Sequence, residues 1–425
     1  MSVASQSPME NITYEDLYRR WEQGNWSAYE LDFSEDRSGW EGLSEIQRRS
    51  AMWIYSMFFY GEDRVADTLA PYTTAAPTEE QAYFLATQQV DEVRHSVFFH
   101  RFFKEVIGVE GDSVKATLAS TLPQLNWGYR GVFDRLDRMA EELRKDRSLP
   151  KYAQAITLYH LIVEGSLAQP GQHFIEDFFS SHETMPGFSA GMANVSRDEQ
   201  RHIGFGVKVL SELLAESDEC KAAIDELLRE VLPYSAAVFT PPDFNREYTE
   251  CYGFTMEDIF AFGLKLIRSR WRTIGYPVEE MPPGVFPFDP DASEEEVAER
   301  QVKLLLGGVT GHANGRRPDS SAEVQRAYFE MVARSAHAGA ANGSRLVYQW
   351  RFSDADPWHL VIEGGTAHAE PGEAPDADLV LEASWADWIA SGKPDANPLK
   401  MMLQRRIRPR GSIRELARMR KVFPR

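Results

Sequence analysis

Cysteine is scarce: Cys220 and Cys251 are the only two in 425 residues, and they form no Cys-x-x-Cys pair. That excludes a disulfide-built scaffold and suits a reducing compartment. Basic charge is also short, with 46 Lys and Arg against 65 Asp and Glu, a formal charge of −19. Such a field repels polyanions, so no nucleic acid is expected as a partner. No apolar run reaches the roughly 18 residues of a membrane span, and the start Met1-Ser2-Val3-Ala4-Ser5 has no basic stretch leading into an apolar core. We therefore expect no integral membrane segment and a cytoplasmic location.

What is present is an ordinary globular composition, 43% hydrophobic and 12% aromatic, which excludes disorder as the main state. A chain of 425 residues is longer than one core usually grows, so two domains are expected. From about residue 44 to 271 the pattern is of long amphipathic helices. Breaks such as Ala76-Pro77-Thr78 and Met185-Pro186-Gly187 separate them. Pro77 should end one helix near Tyr72, and Thr78-Glu79-Glu80 should start the next. Pro277, Pro282, Pro283, Pro287 and Pro290 then crowd a short span that favours an extended connector. The expected organisation is a helical domain over 1–276, a connector over 277–293 and a second domain over 294–425.

In the second domain, helices are expected over 294–306 and 321–337. Short strand-like runs follow at 345–352, 359–363 and 379–382, with short helices at 385–390 and 398–403, a smaller α+β arrangement. The end of the chain is basic, Lys400, Arg405, Arg406, Arg408, Arg410, Arg414, Arg418, Arg420, Lys421 and Arg425 facing only Glu415. This reads as a solvated face, with a phosphate or headgroup site as the alternative.

One motif occurs twice in the helical part: Asp91-Glu92-Val93-Arg94-His95 and Asp198-Glu199-Gln200-Arg201-His202. In each, Glu-x-x-His puts a carboxylate and an imidazole on one helix face, where they can converge on a metal. Two further carboxylates, Glu62 after Phe58-Phe59-Tyr60-Gly61 and Glu164 after Leu161-Ile162-Val163, sit mid-helix in apolar surroundings. A buried carboxylate needs a partner or a metal. Glu62, Glu92, His95, Glu164, Glu199 and His202 thus make a six-ligand set for two metals on four successive helices. Asp91 and Asp198 either orient the imidazole of the opposite motif or cap a solvent-facing turn. Arg94 and Arg201 would neutralise them. His160 shares the face of Glu164 as an extra ligand or a hydrogen-bonding neighbour, and His100, His173 and His182 are weaker candidates.

These segments, with Gly61-Glu62-Asp63-Arg64-Val65 and Val163-Glu164-Gly165, resemble the ferritin-like superfamily. Locally they resemble the ribonucleotide-reductase-small-subunit-like ligand-binding oxidases, over most of residues 40–220. The resemblance implies a mainly α chain with a ferritin-like four-helix-bundle core and extra helices. It implies an Fe/Fe or Mn/Fe pair, dioxygen as co-substrate and a pocket for a fatty-acid-like ligand. It also implies a tyrosine–valine ether cross-link, for which Tyr159 and Val65 hold the matching positions. The reductase subunit itself carries a radical tyrosine four residues after the first motif histidine, where this chain has Phe99. Its terminal tyrosine has no counterpart in Lys421-Val422-Phe423-Pro424-Arg425.

Residues 320–425 resemble a sterol carrier protein domain, on the runs 346–352, 358–363 and 377–382, on Trp385-Ala386-Asp387-Trp388 and on Ile407-Arg408-Pro409-Arg410-Gly411-Ser412. The resemblance implies an apolar tunnel, which Trp385, Trp388, Leu399, Met401, Met402 and Leu403 would line. The alternative is that these residues form the core of a docking or dimerisation module.

The expected function is a di-metal, dioxygen-activating oxidase or monooxygenase acting on a hydrophobic, acyl- or lipid-like substrate. It would draw electrons from an external donor, an unknown reductase, and the resemblance implies a homodimer. The alternatives are the radical-generating subunit of ribonucleotide reductase, a non-enzymatic lipid-binding protein, and iron oxidation and storage. Ferritins need only one compact bundle, so the second domain would have no purpose in the last.

Overall fold

The computed structural model describes residues 12–111, 113–182, 184–278, 292–312, 314–393 and 395–423. The chain divides into two compact units, Met1–Leu227 with Pro241–Val278, and Leu228–Thr240 with Glu279–Arg425. Of the connector expected over 277–293, residues 279–291 lie outside the described residues. No helix among the described residues is long and apolar enough to cross a membrane.

In the first unit, α1 (Tyr14–Gly24) precedes two long antiparallel helices, α2 (Glu45–Ala75) and α3 (Glu79–Phe102). Ser44 and Gln47 exchange side-chain and backbone hydrogen bonds to start α2, and Thr78 accepts from the Gln81 N–H to start α3. α2 runs past the expected stop near Tyr72 to Ala75. Pro77 forces only the residue before it out of the helical region, and Ala76 is the one that turns extended.

α4 (Trp127–Leu143) and α5 (Leu149–Ile156) follow, and α5 continues into a π-helical segment, Thr157–Ala168, before α6 (Gln169–His182). The wider turn is visible in the Gln169 N–H bonding the Glu164 carbonyl, five residues back. α7 (Pro186–Glu216) starts on buried Asp36, whose carboxylate accepts from the Gly187 and Phe188 N–H groups at 2.9 and 2.6 Å. α8 (Met256–Thr273) packs on the π segment and on α6.

α2, α3, the π segment and α7 form the four-helix core. Two glycines on α7 permit its close contacts. A Cβ at Gly191 would lie 2.2 Å from Phe98 Cε2, and one at Gly206 2.3 Å from His160 Cβ. Phe98, Phe99 and Phe102 of α3 pack with Phe188 of α7, the closest rings being Phe102 and Phe188 at 4.2 Å.

The second unit holds, among the described residues, a five-stranded sheet of β1 (Leu346–Phe352), β2 (Trp358–Glu363), β3 (Thr366–Pro371), β4 (Leu379–Ala383) and β5 (Ile407–Gly411). The order is β3-β2-β1-β4-β5, antiparallel except where β1 and β4 run parallel. Helices α9 (Glu294–Leu306), α10 (Ala322–Ser335), α11 (Trp385–Ser391), α12 (Pro398–Leu403) and α13 (Ile413–Val422) accompany it. Phe329 of α10 stacks on Trp358 at 4.9 Å and meets Trp350 and Trp385 edge-on or tilted. The Trp385 indole donates to the Asp319 carbonyl at 2.9 Å.

The expected tunnel lining is only partly interior. Trp385 and Met401 are core residues, and Trp388 and Met402 pack against that core. Leu399 and Leu403 are 55% and 86% exposed and line nothing inside. With about 100° between successive helical residues, side chains two positions either side of inward-facing Met401 must turn away.

Candidate metal centre

Each Glu-x-x-His pair sits on one face of a long helix, and the bundle turns the two faces toward each other. Glu62, Glu92, His95 and Glu199 place one ligand atom each within 4.8 Å of one another, and so do Glu92, Glu164, Glu199 and His202. All six side chains are buried. The six candidates named from sequence are therefore brought together, and Glu92 and Glu199 belong to both groups. Val65 is buried one turn beyond Glu62, and the Tyr159 hydroxyl donates to Glu92 Oε1 at 3.0 Å.

The outer layer crosses the bundle. His95 Nε2 donates to Asp198 of the opposite motif at 3.3 Å, and His202 Nε2 donates to Asp91 at 3.1 Å. Ionised carboxylates only accept, so both imidazoles donate their Nε2–H to the aspartates and turn Nδ1 toward the cluster. Of the two readings for these aspartates, the structure has the first. Arg201 bridges them, reaching Asp198 at 3.1 Å and Asp91 at 2.5 Å, and Arg94 lies 3.0 Å from Asp91 and 3.6 Å from Asp198. Two tryptophans close the arrangement: Trp21 donates to Asp91 at 2.9 Å and Trp26 to Asp198 at 2.8 Å. Nothing near the motifs in sequence points to these two indoles, which approach from the N-terminal segment.

Beside Glu164 lies a second buried network. Gln88 Nε2 donates to Glu164 Oε1 at 2.8 Å, and His160 Nε2 faces Gln88 Oε1 at 3.0 Å. His160 is thus a hydrogen-bonding neighbour and not a member of the cluster. His100, His173 and His182 also stand outside it. Arg270 of α8 donates to the Gly165 carbonyl beside Glu164.

The electrostatics are those of crowded carboxylates in a dry site. Burial pushes Glu62 up to about 8 despite its contact with His95. Burial and the nearby Glu199 raise Glu164 well above the ordinary range, and burial and Glu92 raise Glu199. Burial also opposes the charge on Glu92, but the adjacent imidazoles of His202 and His95, 3.3 and 3.5 Å away, outweigh it and hold this carboxyl well below its usual value. His160 is pushed down to about 3 by burial and by His202, and is neutral. Burial, then the charges of Glu92, Glu164 and Glu199, raise the Tyr159 phenol.

The donor set fits two cations. Among the described residues, Glu164 Oε2, Glu199 Oε2 and His202 Nδ1 are buried atoms without a hydrogen-bond partner. His202 Nδ1 nevertheless lies 3.3 to 3.7 Å from Glu92, Glu164 and Glu199. Carboxylate oxygens and imidazole nitrogens buried together in this way are what a metal ion would satisfy, displacing the protons they hold without it. Carboxylate and imidazole donors suit iron and manganese.

Comparison with known proteins finds relatives of this fold. An R2-like ligand-binding oxidase variant with an anaerobically reconstituted Mn/Fe cofactor is 22% identical, with a TM-score of 0.53, the match covering 64% of this chain and 94% of that one. The R2-like ligand-binding oxidase from Sulfolobus acidocaldarius is 23% identical with a TM-score of 0.52, over 67% of this chain and 94% of that one. At such identities the likeness is one of fold. The family model for the ribonucleotide reductase small chain matches residues 5–240, more than half of the sequence. With that match over the helices that carry both Glu-x-x-His motifs, the chain belongs to the ribonucleotide reductase small-chain family.

Proposed function

We propose that this protein is an oxidoreductase that holds an Fe/Fe or Mn/Fe pair and uses dioxygen to oxidise a hydrophobic, acyl- or lipid-like substrate. The observation that carries the reading is the pair of buried carboxylate–imidazole groups sharing Glu92 and Glu199. Glu62 and His95 would hold one metal, Glu164 and His202 the other, with Glu92 and Glu199 between them. When bound and reduced by an external donor, such a pair supplies the two-electron activation of dioxygen needed to attack a C–H or N–H bond.

The chain's own residues do the rest. Asp91 and Asp198 hold the two imidazoles by Nε2–H, and Arg94 and Arg201 offset the aspartate charge. Phe84 and Phe205, stacked at 4.3 Å beside His202, help exclude water on that side. Tyr159 keeps a proton on its hydroxyl at Glu92. With buried Val65 it is the candidate cross-link pair, and loss of two hydrogens in intact-mass analysis, absent in Tyr159→Phe, would report it.

We assign the second unit to presentation of the apolar substrate, by its mixed sheet with flanking helices and its resemblance to sterol carrier domains. A docking or dimerisation module is the competing role. A cytoplasmic homodimer served by a separate reductase completes the proposal.

The test is native mass spectrometry with elemental analysis of wild type and Glu92→Ala, followed by oxygen uptake with a chemical reductant. Two metals per chain, lost in the variant, with oxygen uptake and a co-purified acyl mass, are expected. One metal or none in protein made with iron and manganese supplied would overturn the di-metal reading.

Family membership favours one second reading, a radical-generating subunit. Phe99, at the position of the radical tyrosine, is buried against Phe58, Phe98 and Phe188 and has no hydroxyl to oxidise. A persistent tyrosyl radical in electron paramagnetic resonance would favour that reading over the oxidase.

A further inference from the structure

The two halves of the carboxylate cluster are built differently, and the difference lies in one glutamine. Gln88, on α3 one turn before Glu92, is buried. Its Nε2 donates to Glu164 Oε1 at 2.8 Å and lies 3.4 Å from Glu92 Oε1, and its Oε1 meets His160 Nε2 at 3.0 Å. Ionised, as a metal would require, the two carboxylates only accept, so the amide nitrogen faces them and the amide oxygen faces the histidine. The amide oxygen can only accept in turn, so His160 donates from Nε2. Both ends of Gln88 are therefore decided by chemistry.

His160 is itself held in place. It comes from the π segment and packs against Tyr159 at 4.8 Å and Phe205 at 5.4 Å between ring centroids. It also occupies the space that Gly206 leaves on α7, where a Cβ would come within 2.3 Å. The Glu62 half has no such support, because among the described residues the Glu62 carboxyl is hydrogen-bonded by His95 alone. Glu164 thus has the oxygen that faces His202, Oε1, held by an oriented amide, while its other oxygen, Oε2, is buried with no partner among the described residues.

We propose that Gln88, oriented by His160, is a positioning residue for the Glu164 and His202 half of the centre. It holds Glu164 by Oε1, the oxygen that lies 3.4 Å from His202 Nδ1, and so fixes this carboxylate beside its imidazole and makes this the more rigid position of the two. Glu62, held only by His95, is the carboxylate free to reorient. The inference rests on the di-metal reading above and adds that the two metal positions are unequal.

The test is anaerobic titration of the metal-free full-length protein with Mn(II), read by calorimetry and by electron paramagnetic resonance of bound Mn(II). Wild type should show two binding steps. Gln88→Met, similar in length but without the amide, should weaken one step by about 10–100-fold and leave the other. His160→Phe should act in the same direction, and His160→Gln, which keeps a donor, should restore much of the loss. In a Glu164→Ala background Gln88→Met should add no further effect, because its target is gone.

If wild type binds fewer than two ions, the di-metal reading falls and this inference with it. If wild type binds two and both steps survive unchanged in Gln88→Met and His160→Phe, the inference alone falls. Equal weakening of both steps, or a lower melting temperature of the metal-free protein with unchanged metal steps, would mark a merely structural role and would also overturn it.

Discussion

Asp198 is the sharpest place to perturb the centre without touching a candidate ligand. Its carboxylate, 1% exposed in the side chain, accepts from His95 Nε2 at 3.3 Å, Trp26 Nε1 at 2.8 Å and Arg201 at 3.1 Å. Burial opposes its charge, yet these donors hold it well below the usual carboxylate range. Asp198→Asn preserves the shape but removes the charge. Every neighbour is a donor, so the new amide nitrogen meets N–H groups whichever way it turns.

Breaking a buried charge network on one side costs about 3–5 kcal/mol. For a unit of this size that lowers the melting temperature by roughly 6–20 °C, at about 2–4 °C per kcal/mol. Loss of the acceptor behind His95 should also weaken metal binding by about 10–100-fold. Differential scanning calorimetry of the metal-free protein and anaerobic metal titration measure the two effects separately. Asp91→Asn should behave alike, since Asp91 does for His202 what Asp198 does for His95. A variant that melts with wild type and keeps both metals at unchanged affinity would refute the argument that these crossed pairs support the centre.

The remaining expectations are narrower. Metal-free protein should lose stability as pH rises from about 5 to 8. Glu62 is raised from 4.5 to about 8, so between those values the folded state binds the extra proton, and the advantage disappears on deprotonation. His95 and His202, raised well above 6.5 by the surrounding acids although burial opposes their charge, act in the same direction from neutral pH upward. Bound metal should abolish this slope, and binding should release protons into a weakly buffered solution, which a pH-indicator dye would detect. Gly206→Ala should destabilise by about 1–3 kcal/mol and displace His160, visible as a changed imidazole resonance, because its Cβ has no room. In the second unit, Trp385→Ala should cost about 3–5 kcal/mol in denaturant unfolding, and Leu403→Ser almost nothing. Comparable losses would show that the exposed leucine packs against something in solution.

Sequence legibility varied with the length over which a pattern could repeat. The long helices were readable because many turns of amphipathic spacing carry the signal, and Ser44, Thr78 and Ser293 mark helix starts through local capping alone. Helix 294–306 appears within those bounds, whereas β3 was not foreseen. Thr366–Pro371 is an edge strand with no large apolar side chain, and only pairing with β2 makes it a strand. The π segment was equally hidden, since one extra residue per turn shifts the faces of Tyr159, His160 and Glu164 without any change in composition.

The residue types that could bind metal, and their i and i+3 placement, follow from local helix geometry and needed no tertiary information. Which aspartate serves which histidine is a different kind of fact. Asp91 lies next to Glu92 in sequence but bonds His202, 111 residues away, because antiparallel helices bring opposite motifs face to face. Trp21, Trp26 and Gln88 likewise acquire their roles only through packing, since an indole or an amide in a helix has no meaning until its partner arrives. The sequence by itself therefore determined the helices, the candidate ligands and the family resemblance. Tertiary structure decided the crossed hydrogen bonds, the inequality of the two halves and the outward turn of Leu399 and Leu403, because each depends on contacts between segments distant along the chain.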